Sequence, residues 1–106
     1  MEAHLMFIET SEEQDFLKTT VETLHPGGQF WIGVEKDLNG KQVWMDGTSI
    51  TYQNFGDMNE DGECFRLTTS EQNYKWLDRV CSYTFQYICE KTQVNLGLSI
   101  QYVYTR

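Results

Sequence analysis

The sequence predicts an α+β domain in which one amphipathic helix precedes a set of short antiparallel strands. Three observations predict it. Apolar residues recur at helical spacing once, near the N-terminus, between a capping signal and the stop Pro26-Gly27-Gly28. From Phe30 onward the apolar runs are short, aromatic or β-branched, and divided by turn formers such as Asn39-Gly40 and Asp46-Gly47. The chain has 106 residues, one domain's worth, so helix and strands must share a single core.

The helix is expected over residues 11–24. Thr10 followed three residues later by Glu13 forms a capping box, and acids in the first turn suit the positive end of the helix dipole. Phe16, Leu17, Val21 and Leu24 supply the apolar face. Strands follow at Phe30–Val34 and Gln42–Met45 around the Asn39-Gly40 turn, then at Cys64–Thr69, Tyr74–Leu77 and Thr84–Lys91. Ser70–Asn73 and Arg79–Ser82 read as the turns between the last three. Each of Trp31, Trp44 and Trp76 falls in a strand and is assigned to the core. Beyond residue 91, Val94, Leu96, Leu98, Ile100, Tyr102 and Tyr104 alternate with polar or small residues, so 92–106 is either an edge strand or foreign sequence.

Composition narrows the function classes. Hydrophobic residues make up 40% and charged residues 23%, the balance of a folding chain. Sixteen acidic against eight basic residues leave a net charge of -8, which disfavours phosphate backbones and anionic lipid. We expect no nucleic acid partner. No apolar run approaches the roughly 20 residues of a spanning helix, so no membrane insertion by this segment is expected. The opening Met1-Glu2-Ala3-His4-Leu5 lacks the basic flank of a signal peptide, which fits either a cytosolic chain or a mature fragment. Three cysteines in so short a chain fit an oxidised module better. One pair can form; the third thiol is free, bonded to another molecule, or missing its partner.

Gly56-Asp57-Met58-Asn59-Glu60-Asp61-Gly62-Glu63 cannot be core, and it sets four carboxylates and a carboxamide within seven positions. Such a cluster repels itself unless a cation sits in it, and hard oxygen donors suit calcium. Against that stands the plain reading of a solvated acidic loop. Asp57, Asn59, Asp61 and Gly62 match the first half of an EF-hand loop, but its twelfth position is Thr68, not Glu, and a strand follows. For catalysis there is little material. His4 sits between Ala3 and Leu5, where packing is expected, and His25 adjoins Pro26. No nucleophile elbow, phosphate loop or histidine ligand pair occurs, so no enzyme is expected.

Taken in order, Ala3-His4-Leu5, the capped helix, Trp31-Ile32-Gly33, Trp44-x-Asp46-Gly47, Tyr52-x-Asn54-Phe55, Glu63-Cys64, Trp76-x-Asp78, Cys81 and Ile88-Cys89-Glu90 resemble the C-type lectin-like domain across residues 1–91. The resemblance implies a helix packed on short antiparallel sheets with a long-loop region. It further implies extracellular recognition, in a secreted protein or the ectodomain of a membrane-anchored one. The inner disulfide would join Cys64 to Cys81, and Cys89 would bond a cysteine in a first helix that this sequence lacks. We therefore expect an N-terminally truncated domain, with the alternating tail pairing where the family's first strand would lie.

Sugar-binding members hold calcium with a proline-containing triplet, a following Glu and the Asn-Asp of a Trp-Asn-Asp strand. Here Asp57-Met58-Asn59 stands at the triplet with no proline, and Trp76-Leu77-Asp78 replaces the Asn by an apolar residue. Asp57, Asn59, Glu63 and Asp78 remain as candidate calcium ligands, and Asp57, Asn59 and Asp78 as candidate ligand-binding residues. The expectation is a weak or degenerate site, on the order of 0.1 to 1 mM, with carbohydrate as ligand. The alternative is a calcium-independent receptor domain with a protein ligand.

Overall fold

In the computed structural model, which describes residues 3–57, 62–95 and 98–105 and side chains over 4–57 and 62–89, one helix lies beside two sheets. The elements run β1 (Ala3–Leu5), α1 (Ser11–Leu24), β2 (Phe30–Ile32), β3 (Val34–Lys36), β4 (Gln42–Trp44), β5 (Cys64–Leu67), β6 (Trp76–Arg79), β7 (Gln86–Asn95) and β8 (Leu98–Thr105). Among the described residues β1, β7, β2, β5 and β6 neighbour one another in that order, with β8 also on β7, and β3 and β4 form a separate hairpin.

The helix starts where the capping box requires. Thr10 Oγ1 accepts the Glu13 N–H at 3.1 Å, while the Glu13 carboxylate takes the Glu9 N–H at 3.2 Å. Its buried face is Gln14, Leu17 and Val21, at i, i+3 and i+7. Phe16 and Leu24 are instead 55% and 56% exposed. Phe16 points away from the buried stripe, because Gln14, a polar residue that periodicity passes over, sets which side of the helix faces inward. Gln14 Oε1 accepts the Trp76 indole N–H at 3.0 Å and its Nε2 donates to the Tyr74 carbonyl at 3.2 Å.

The strand expected over Phe30–Val34 is two strands broken at Gly33. A Cβ there would come within 2.6 Å of the Phe7 ring and 2.9 Å of the Leu5 carbonyl. Gly33 N–H donates to the Met6 carbonyl and its own carbonyl accepts from Met45 N–H, both at 2.8 Å, so the backbone turns from one sheet into the other. The Asn39-Gly40 turn joins β3 to β4, with Gly40 at φ 81° and Asp37 Oδ1 accepting the Asn39 and Lys41 N–H groups.

One ladder departs from the antiparallel expectation. β2 and β7 pair in parallel, Phe30 opposite Gln86 and Trp31 opposite Tyr87, while β7 pairs antiparallel to β1 and to β8. Alternation reports which face a residue occupies and carries no information on strand direction. β7 continues past residue 91, and β8 lies against it from Ile88 to Asn95.

All three tryptophans are buried, Trp31 at 6%, Trp44 at 1% and Trp76 at 0% exposure. Phe7 stacks on Trp44 at 5.2 Å, Trp44 meets Trp76 at 5.7 Å, and Phe55 caps Trp76 edge-on at 5.2 Å. His4 is exposed instead of packed; its ring leans on Phe7 at 4.4 Å. Because a carbonyl only accepts, its Nδ1 carries the proton it shares with the Leu5 oxygen at 2.6 Å.

Candidate functional site at the end of strand β6

β5 and β6 form an antiparallel hairpin with Cys64 opposite Arg79 and Leu67 opposite Trp76. A 3-10 turn, Ser70–Gln72, closes one end, and Asn73 and Tyr74 then adopt left-handed φ values of 55° and 54°. This displaces the expected start of β6 from Tyr74 to Trp76 and carries its end through Arg79. The left-handed backbone of an aromatic residue is held by its neighbours. The Tyr74 carbonyl accepts Gln14 Nε2 and Asn54 Nδ2, and its hydroxyl donates to Glu22, a hydrogen bond that raises the phenol pKa. At the hairpin's open end the Cys64–Cys81 disulfide joins the two strands.

The described ends of the acidic segment, Gly56 and Gly62, both meet β6. Before the segment, Asn54–Gly56 runs along the free edge of β6: Trp76 N–H donates to the Asn54 carbonyl at 2.9 Å and Gly56 N–H to the Trp76 carbonyl at 3.1 Å. Gly56 sits against β6 so closely that a Cβ would meet Leu77 Cδ2 at 2.9 Å. After the segment the chain returns at Gly62, where a Cβ would fall 2.1 to 2.3 Å from the Arg79 backbone. Gly62 N–H donates to Asp78 Oδ2 at 2.9 Å. Both ends of the acidic segment therefore rest on β6; at Gly62 no other residue fits without moving the strand, while at Gly56 a Cβ would displace the Leu77 side chain.

The four candidate ligands occupy different environments. Asp57 and Glu63 are exposed at the two ends of the segment, and Asn59 lies outside the described residues. Asp78 is 2% exposed, with one carboxylate oxygen engaged by Gly62. Leu77, where sugar binders place an Asn oxygen, is 9% exposed against Gly56. Among the described residues no three His, Cys, Asp or Glu side chains converge as an ion requires. A calcium shell needs six to eight oxygens; among the described residues Leu77 offers none, and one Asp78 oxygen already accepts a backbone amide.

Two arginines near the end of β6 are also engaged. Arg66, 5% exposed, donates from Nη1 to the Asp78 carbonyl and from Nε to Gln29 Oε1, both at 2.6 Å. The Arg79 guanidinium lies 4.3 Å from the Tyr83 ring centre. Gly56 and Gly62 are the residues that sequence reasoning missed; the signal was available, since two glycines bracketing an acidic run mark close backbone approaches.

A family model described as the lectin C-type domain matches residues 1–91. The chain is 38% identical over 85 residues to the C-type lectin domain family 3 member A homolog of Xenopus laevis, covering 76% of this chain and 44% of that protein. It is 32% identical over 99 residues to the hepatic lectin of Gallus gallus, covering 86% of this chain and 44% of that one. It is 29% identical over 90 residues to the snaclec agglucetin subunit alpha-1 of Deinagkistrodon acutus, covering 82% and 58%. Against these relatives the chain spans about half of the full length. Among solved structures, the SPL-1 complex with GlcNAc superposes at a TM-score of 0.71 with 28% identity, covering 84% of this chain and 70% of that one. Human lithostathine superposes at 0.69 with 26% identity, covering 82% and 65%.

Proposed function

Because the chain belongs to the C-type lectin domain family, we propose that it is a recognition domain that docks a protein ligand on the acidic loop face at the end of β6, without requiring calcium. The observation that carries this reading is the loop's attachment: apolar Leu77, where a sugar-binding member would offer an Asn oxygen, packs against Gly56, and Asp78 already accepts the Gly62 amide. Exposed Asp57 and Glu63 flank a segment that also contains Asn59, Glu60 and Asp61, so the complementary partner surface is basic. Binding is the whole activity in this reading, and no residue is assigned to catalysis. The Cys64–Cys81 disulfide supports an oxidising compartment, outside the cell or on the ectodomain of a cell-surface protein. No described helix is long and apolar enough to cross a membrane.

A second reading, carbohydrate through a weak calcium site, draws on the exposed carboxylates of Asp57 and Glu63 and on the GlcNAc complex of SPL-1. Asn59 and Asp78 would complete the protein donors, and affinity for the ion would lie on the order of 0.1 to 1 mM. Calcium calorimetry together with glycan and protein arrays, run with and without chelator, separates the two. The expected result is binding to a basic protein that chelator leaves unchanged, that added salt weakens, and that falls about tenfold in an Asp57→Asn, Glu63→Gln double variant. Micromolar calcium affinity with chelator-sensitive glycan binding would overturn it.

A further inference from the structure

We infer that Asp78 is a positioning residue: with Gly62 it forms a metal-independent clasp that fixes where the acidic loop returns to β6, and so presets the recognition face before any ligand arrives. The inference rests on the reading of that loop as the recognition surface. Three observations meet at the clasp. Asp78 is 2% exposed, and a carboxylate taken that far out of water needs donors aimed at it. Gly62 N–H is such a donor, at 2.9 Å from Oδ2. The approach that makes this bond also presses Gly62 onto the Arg79 backbone, where a Cβ would lie within 2.3 Å, so the contact exists only for glycine.

The surroundings keep the acceptor in place. Arg66 donates to the Asp78 carbonyl from the neighbouring strand, and Phe65 stands opposite Asp78 in the ladder. The disulfide at Cys64 lies two residues beyond Gly62, so the returning chain is held at once by a covalent bond and by the clasp. At the other end Gly56 rests on Leu77 and on the Trp76 carbonyl. A loop held in this way at both ends by protein atoms has no need of an ion to bring its ends together.

Amide hydrogen exchange of the full chain, followed residue by residue in chelator and in excess calcium, tests the clasp without any ligand. In the wild-type chain the Gly62 amide is expected to be protected equally in both buffers. Asp78→Asn keeps an acceptor oxygen and should preserve that protection, whereas Asp78→Ala should speed exchange of Gly62 by about tenfold or more, the loss of one bond to a charged acceptor. Protection that rises on adding calcium in the wild type and fails to rise in Asp78→Asn would make Asp78 a metal ligand and overturn the inference. Equal Gly62 exchange in wild type and Asp78→Ala would overturn it as well. Should Asp78→Ala not fold, the wild type and Asp78→Asn decide alone. Failure of the ligand reading appears only in the binding arrays, so the two outcomes are distinguishable.

Discussion

Gln14 shows how far one polar side chain can govern a core. It sits 4% exposed on α1 and satisfies the indole N–H of Trp76 and one side of the Tyr74 carbonyl. Replacing it by Ala strands the Trp76 donor in an apolar interior, so Gln14→Ala is expected to cost about 1 to 3 kcal/mol in urea denaturation, against about 0.5 or less for a surface change. Glu13, one residue earlier, behaves differently with pH. Desolvation raises its carboxyl above the usual 4.5, although bonds from the Glu9 N–H and Thr10 hydroxyl pull the other way. A carboxyl raised in the folded state binds its proton more tightly there than in the unfolded chain. Stability from this group is therefore complete below the ordinary carboxylate range and declines as pH climbs through the raised value. Glu13→Gln should remove that decline: relative to wild type it gains by less than about 1 kcal/mol between pH 4 and pH 7, the group being partly solvated. A difference that stays constant across that range would refute the assignment.

The β5–β6 hairpin is the element on which the site depends. Its turn is pinned to α1 through Tyr74, its far end is joined by Cys64–Cys81, and its free edge carries Asn54–Gly56. The disulfide closes a separation of 17 residues, for which loop closure predicts about 3 kcal/mol of stabilisation. A Cys64→Ser, Cys81→Ser double variant should lose roughly that amount in denaturant titration, and its acidic segment should become the first point of proteolytic cleavage, since the anchor beneath it is gone. Cleavage confined elsewhere would show that the clasp at Gly62 holds the loop unaided. The contact at Gly56 gives Leu77 a packing role at the position where an Asn would serve calcium: it fills the space beneath Gly56.

At the scale of the whole molecule, the helix and two sheets converge on one aromatic cluster. Leu17 and Val21 from α1, Phe7 after β1, Trp44 from β4, Trp76 from β6 and Ile88 from β7 all enter the same core. The opposite side of the large sheet carries an apolar cleft of about 120 Å³ between Leu5, Trp31, Met45, Tyr87 and the disulfide. Cys89, a free thiol, lies opposite Leu5 in the ladder and so shares the face of this cleft. With a net charge of -8 the molecule as a whole would reinforce the proposed attraction for a basic partner, so salt is expected to weaken binding over its full area.

Much of this was legible in the chain. The helix boundaries at residues 11 and 24 follow from Thr10, Glu13 and Pro26, because capping and helix breaking are local effects of backbone hydrogen bonding. The burial of three tryptophans follows from apolar patterning, and the Cys64–Cys81 pair from family resemblance. The parallel run of β7 beside β2, the break at Gly33, the inward turn of Gln14 in place of Phe16, and the seating of Gly62 on Arg79 were not legible in the chain. Each depends on which backbone lies within a few ångströms of which other. Such proximity is set only when segments distant in the chain compete for the same interior space, and no local preference of a residue records the outcome.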